Sequence, residues 1–178
     1  MQNETIIAGF GGQGVLFTGK VLAYAGLHEG REVTWLPSYG PEMRGGTANC
    51  TVIISDEEIG SAQVMKPRAA IVMNQPSLDK FEDLVAEGGY LVVNSSMVSR
   101  NAQRTDIMVI DIPGTELAEG LGDKRLANIV MLGALAAKAD FVKIKSIEKG
   151  IEKSLSNDKK ALFEINLKAL QTGAAYQK

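Results

Sequence analysis

The sequence predicts an α/β protein: a three-layer α/β/α sandwich whose sheet is mostly parallel, with one inserted antiparallel hairpin. Three observations predict it. A short apolar run ends in a cluster of glycines and opens directly into a helical pattern. Further short apolar runs alternate with helical stretches through the middle of the chain, and the last third is helical. No internal repeat, low-complexity tract or linker interrupts the 178 residues, so they are read as one domain, 1–178.

Taken in order, Thr5 to Phe10 is a buried strand, and Val15 to about Glu29 is a helix. Gly19, Ala23 and Gly26 recur on one face of that helix and would let it lie close on a sheet. Glu32 to Leu36 is the second strand. Strand, helix and strand over about thirty residues make a Rossmann-like βαβ unit with a right-handed crossover. Pro37 to Gly46 breaks the pattern as a long irregular loop. Ala48 to Ile54 and Ile59 to Val64, separated by Ser55-Asp56-Glu57-Glu58, are expected to pair as the inserted hairpin. Ala69 to Met73 is a strand, Pro76 to Glu87 a helix with proline in its first turn, and Tyr90 to Val93 and Ile107 to Ile110 are strands. Leu126 to Ala139 is apolar on nearly every face, which places it in the interior. Ile147 to Leu155 and Ala161 to Ala174 are amphipathic helices.

Charge and composition exclude several chemistries. A formal net charge of −2 gives no surplus of Lys and Arg for binding phosphate backbones, so nucleic acid is not expected as a partner. Cys50 is the only cysteine and His28 the only histidine. Neither a disulfide, nor an iron–sulfur cluster with its usual set of about four thiolates, nor a zinc set can be built from them. The longest apolar stretch, Ile129 to Ala137, is far short of the roughly 20 residues that span a bilayer. With no N-terminal signal pattern, the expected compartment is the cytoplasm. There is no Ser/His/Asp set and no Walker loop.

Two motifs stand out. Gly9-Phe10-Gly11-Gly12-Gln13-Gly14 matches G-x-G-x-x-G between a strand and a helix. Such a turn can bind a dinucleotide, bind another anion at the helix start, or simply pack tightly. The dinucleotide reading needs an acid at the end of the second strand, where Leu36, Pro37 and Ser38 stand instead. The second motif is Ser38-Tyr39-Gly40-Pro41-Glu42-Met43-Arg44-Gly45-Gly46. It follows a parallel strand, so it leaves the carboxyl edge of the sheet, where open α/β folds place ligands and partners. Tyr39, Glu42 and Arg44 are its candidate contacts. Asn74 and Asn94 end two further strands at the same edge, where turn and cap chemistry also accounts for them. The candidate ligand- or interface-binding set is therefore Gly9, Gly11, Gly12, Gln13, Gly14, Tyr39, Glu42, Arg44, Asn74 and Asn94, with no catalytic and no metal-binding residue.

With these motifs in hand, the chain resembles the gamma subunits of 2-oxoacid:ferredoxin oxidoreductases. The matching stretches are IIAGFGGQGV at 6–15 and LPSYGPEMRGGTANC at 36–50, supported by MNQPSLDKF at 73–81, LVVNSSMV at 91–98 and ANIVMLGAL at 127–135. The resemblance implies that alpha and beta subunits hold thiamine diphosphate and Mg²⁺, and that a ferredoxin-like delta subunit or domain carries iron–sulfur clusters. The complex would decarboxylate a 2-oxoacid, pass electrons to ferredoxin and release an acyl-CoA. This chain would hold no cofactor and be inactive alone. The form Glu42-Met43-Arg44-Gly45-Gly46-Thr47 resembles the 2-oxoglutarate and branched-chain members more than the pyruvate members. The competing readings are a free-standing NAD or flavin module and a pure assembly scaffold.

Overall fold

The computed structural model describes residues 1–39, 47–155 and 160–177. Six strands, β1 (Gln2–Phe10), β2 (Glu32–Tyr39), β3 (Thr47–Ser55), β4 (Ala69–Val72), β5 (Tyr90–Asn94) and β6 (Met108–Ile112), form one sheet in the order β2-β3-β1-β4-β5-β6. Strands β1, β4, β5 and β6 run parallel. Strand β3 is antiparallel to both of its neighbours, β1 and β2. Among the described residues six α-helices accompany the sheet: α1 (Val15–His28), α2 (Gln75–Phe81), α3 (Gly114–Gly120), α4 (Ala127–Lys138), α5 (Ile144–Ser154) and α6 (Lys160–Ala175).

The antiparallel hairpin exists, but its members differ from those expected. β3 pairs with β2, and residues 59–64 run as irregular chain. Both edges of β3 are occupied, by β1 from Gln2↔Ser55 to Phe10↔Thr47 and by β2 from Glu32↔Ser55 to Tyr39↔Ala48. A following segment therefore finds no open edge of β3 to join, and Gly60 and Ser61 weaken it further. The first βαβ unit is altered by the same insertion: β1 and β2 are parallel, with β3 between them. Strand β2 also continues through Pro37, where a break was expected. It is the edge strand, the position at which a sheet tolerates proline.

The two faces of the sheet are covered unequally. On one, Ile7, Cys50, Val52, Ile54, Ile71, Val92 and Ile112 pack with residues of α1, α3, α4, α5 and α6. The small-residue face of α1 makes this close. A Cβ at Gly26 would lie 2.8 Å from Val33 Cγ2, and one at Gly19 would lie 2.8 Å from Trp35 Nε1. On the other face Ile6, Ala8, Ala70, Val72, Leu91 and Val93 pack with Leu78 and Phe81 of α2, with Val85, and with the segment carrying Val98, Ala102 and Ile107. Helix α2 is shorter than the expected 76–87. It ends at Phe81 and passes into a 3₁₀ turn, Glu82–Leu84, whose Glu82 carboxylate receives the backbone N–H groups of Gln103 and Arg104 and an Arg100 guanidinium N–H. Helix α3 was not anticipated from the sequence.

Helix α4 is the interior helix, with Ala127 to Leu135 all buried. It lies between the sheet and α6, and two glycines permit the contact. A Cβ at Gly133 would run into the Leu170 carbonyl, and one at Gly173 into the Val130 carbonyl. Among the described residues no helix is long and apolar enough to cross a membrane.

Candidate functional site

The parallel strands β1, β4, β5 and β6 end together, so Phe10, Asn74, Asn94 and Ile112 mark one edge of the sheet. The glycine turn crowns β1 there. Gln13 N donates to Phe10 O at 3.1 Å, closing the turn. Gly12 has φ +93° and Gly14 φ +77°, left-handed values that a side chain resists. Gly11 is not among the left-handed glycines. It is exposed, as is Gly12.

Gln13 is the hub of the turn. Its Oε1 accepts Phe10 N at 2.6 Å and Asn74 Nδ2 at 3.1 Å, while its Nε2 donates to Met73 O at 3.4 Å. Asn74 is buried and its Oδ1 caps α2 by accepting Ser77 N at 3.0 Å. One amide pair thus ties the glycine turn to the end of β4 and to the start of α2. Asn94 does the same between β5 and α3: its Nδ2 donates to Thr115 Oγ1 at 2.9 Å and its Oδ1 accepts Thr115 N at 3.3 Å. Both asparagines therefore act first as structural caps at this edge.

Beside the turn lies a cleft of about 450 Å³. Phe10, Met73, Met97 and Ala127 give it an apolar floor, and Gly11, Gly12 and Gln13 form one wall. Thr115, Glu119, Lys124 and Arg125 form the opposite rim. Arg125 is held by Asp123, Nη2 to Oδ2 at 2.7 Å, and that hydrogen bond keeps the Asp123 carboxyl below the usual carboxylate range. An apolar floor with convergent polar groups is the form of a ligand cleft.

The second motif returns to this place. Phe10 pairs with Thr47 and Tyr39 with Ala48, so the chain enters β3 beside the end of β1 and leaves β2 one strand further out along the same edge. Glu42 and Arg44 lie outside the described residues, and of Tyr39 only the backbone, the end of β2, is described. A larger groove of about 620 Å³ runs between α1 and α5 at Tyr24, Leu27, His28 and Lys153, at the far end of α1 from the glycine turn. Its Lys149 is engaged with Glu152 at 2.9 Å.

Sequence reasoning missed Thr18, Thr115, Met97, Lys124, Arg125 and Asn128. Asn128 had a signal: it is the one polar side chain between Leu126 and Ala137. Thr18 bonds locally, to Gly14 four residues earlier, and Thr115, Met97, Lys124 and Arg125 had no signal, because nothing in their spacing connects them to the glycine turn far upstream. Cys50 is fully buried, and burial pushes its thiol up to about 12, which disfavours a thiolate ligand or nucleophile. The dinucleotide reading also loses ground. With β3 inserted, the end of β2 stands two strand spacings from β1, about 10 Å, rather than beside the turn.

The family model for pyruvate ferredoxin/flavodoxin oxidoreductase matches residues 4–176. The chain belongs to this family. It is 41% identical over 171 residues to the ketoisovalerate oxidoreductase subunit VorA of Methanothermobacter thermautotrophicus, covering 96% of this chain and 35% of that protein. The chain thus spans about a third of the length of this relative. It is 38% identical over 176 residues to the 2-oxoglutarate synthase subunit KorC of Methanocaldococcus jannaschii, covering 97% of this chain and 92% of KorC. The crystal structure of the keto/oxoacid ferredoxin oxidoreductase gamma subunit from Geobacter sulfurreducens PCA is similar with a TM-score of 0.85, 30% identity, and coverage of 97% and 94% of the two chains.

Proposed function

We propose that the chain is the gamma subunit of a thiamine-diphosphate-dependent 2-oxoacid:ferredoxin oxidoreductase, with 2-oxoglutarate as the favoured substrate. The observation that carries this reading is the near end-to-end likeness to KorC, a 2-oxoglutarate synthase subunit. The likeness to VorA favours a second reading within the same reaction, in which the substrate is a branched-chain 2-oxoacid. A free-standing NAD or flavin module is the less supported alternative, given the inserted β3 and the absence of an acid at the end of β2.

In this reading the partners are alpha and beta subunits holding thiamine diphosphate and Mg²⁺, and a ferredoxin-like delta subunit or domain. Those groups supply decarboxylation and one-electron transfer. The contribution of this chain is a rigid polar edge. In this proposal the glycine turn and the Lys124–Arg125 rim meet the thiamine-binding subunits and shape the entrance used by coenzyme A, together with Glu42 and Arg44, which lie outside the described residues. Arg44 suits a carboxylate or phosphate, because a guanidinium pairs with either through two hydrogen bonds.

Co-purification from the native cell tests the assembly: thiamine-binding and cluster-binding subunits should accompany the chain, and their absence overturns the reading. Assay of the purified complex with 2-oxoglutarate and with 2-oxoisovalerate decides the substrate. In the same complex Arg44→Ala should lower kcat/KM for coenzyme A roughly ten- to a hundred-fold, the loss of one charged contact.

A further inference from the structure

We propose that Asn128 is a positioning residue that holds the glycine turn and the Lys124–Arg125 rim at a fixed separation, and so sets how tightly the cleft grips an anionic group of the acyl acceptor. The inference rests on the reading of this edge as the coenzyme A entrance.

Asn128 sits in the first turn of α4, three residues after Arg125, and is almost fully buried. Its Nδ2 donates to Gly14 O at 3.2 Å, and its Oδ1 accepts Ile129 N at 2.8 Å. The side chain is therefore fastened to its own helix at one end and to the glycine turn at the other. It also occupies the space a side chain on Gly14 would need. Gly14 O accepts two more hydrogen bonds, from Thr18 N and Thr18 Oγ1, both at 3.0 Å, but these stay within α1. Asn128 is the one donor to that carbonyl from another element among the described residues.

The two ends of this bridge are the two walls of the cleft. Gly11, Gly12 and Gln13 precede Gly14 directly, and Lys124 and Arg125 lie four and three residues before Asn128. Helix α4 is a rigid base for the bridge, packed between the sheet and α6. A polar side chain buried in an otherwise apolar run costs solvation and is retained only where its hydrogen bonds are made.

The test uses the assembled enzyme and compares Asn128→Asp with Thr18→Val. Asn128→Asp keeps the size and the Ile129 contact but replaces the donor with an oxygen facing Gly14 O. Thr18→Val removes a hydrogen bond from the same carbonyl and leaves the bridge intact. Asn128→Asp should raise KM for coenzyme A about tenfold with kcat changed by less than about twofold, and Thr18→Val should leave KM unchanged. An unchanged KM in Asn128→Asp, or an equal rise in both variants, overturns the proposal. If Asn128→Asp fails to assemble, Asn128→Ala, which removes the donor without adding charge, is read by the same criteria. Lys124→Ala with Arg125→Ala separates the two readings. If that pair leaves KM for coenzyme A unchanged, the cleft is not the entrance; if it raises KM while the Asn128 variants do not, only the positioning role falls.

Discussion

At position 14 two demands meet: a left-handed backbone and a buried amide where a side chain would go. Gly14→Val is therefore expected to destabilise the chain by about 1–3 kcal/mol through backbone strain, with steric displacement of Asn128 in addition. Thermal melts check it, and a melting temperature equal to wild type would refute the structural role. Gly11→Val should be milder, since Gly11 is exposed and is not among the left-handed glycines. At this scale the sequence was partly legible. The turn residues Gly9 to Gly14 announced themselves by spacing, and Asn74 and Asn94 by their place at strand ends. What spacing could not reveal was that Gln13 holds Asn74 from 61 residues away, or that Asn128 reaches back 114 residues to Gly14. Such contacts are fixed by strand order, which a single sequence does not state.

Among the elements, the crossing of α4 and α6 is the tightest joint. Gly173→Val would drive a branched side chain into the Val130 backbone, whose carbonyl carbon lies 2.7 Å from an ideal Cβ. A loss of at least about 3 kcal/mol is expected, read as a lower denaturant midpoint. The segment over the thinly covered face depends on charge instead. Burial pushes the Glu82 carboxyl up, but the Arg100 hydrogen bond and the Gln103 and Arg104 N–H groups outweigh it and hold it below the usual range. A carboxyl depressed on folding stabilises the protein above its unfolded pKa of about 4.3, and that stabilisation is lost as pH falls through the depressed value. Glu82→Gln should therefore cost about 1.5–3 kcal/mol at pH 7, and its melting curve should converge with wild type as the pH drops below about 4. A gap that stayed constant from pH 7 to pH 3 would sink this account. Strand and helix periodicity predicted most of the elements, but it misassigned the partner of β3. Residues 59–64 carry some apolar character, but the filled edges of β3 leave them no partner there, and Gly60 and Ser61 weaken a strand further.

For the whole molecule, the purified chain is expected neither to bind thiamine diphosphate tightly nor to oxidise a 2-oxoacid. Calorimetry and a viologen-coupled assay check this, and turnover by the chain alone would overturn the subunit reading. The α/β layering was legible because buried parallel strands read as continuous apolar runs. The unequal cover of the two faces was not, since it depends on where the C-terminal helices fold back. That asymmetry has a kinetic meaning. With the sheet on one side and α6 on the other, the α4 amides from Met131 to Leu135 have no small opening that would admit water to them. Their hydrogens should exchange only when the entire chain unfolds, whereas α2, on the thinly covered face, should exchange through local opening. A deuterium time course on this protein would then carry two clocks, and the slower one would read the global unfolding free energy directly from a single helix.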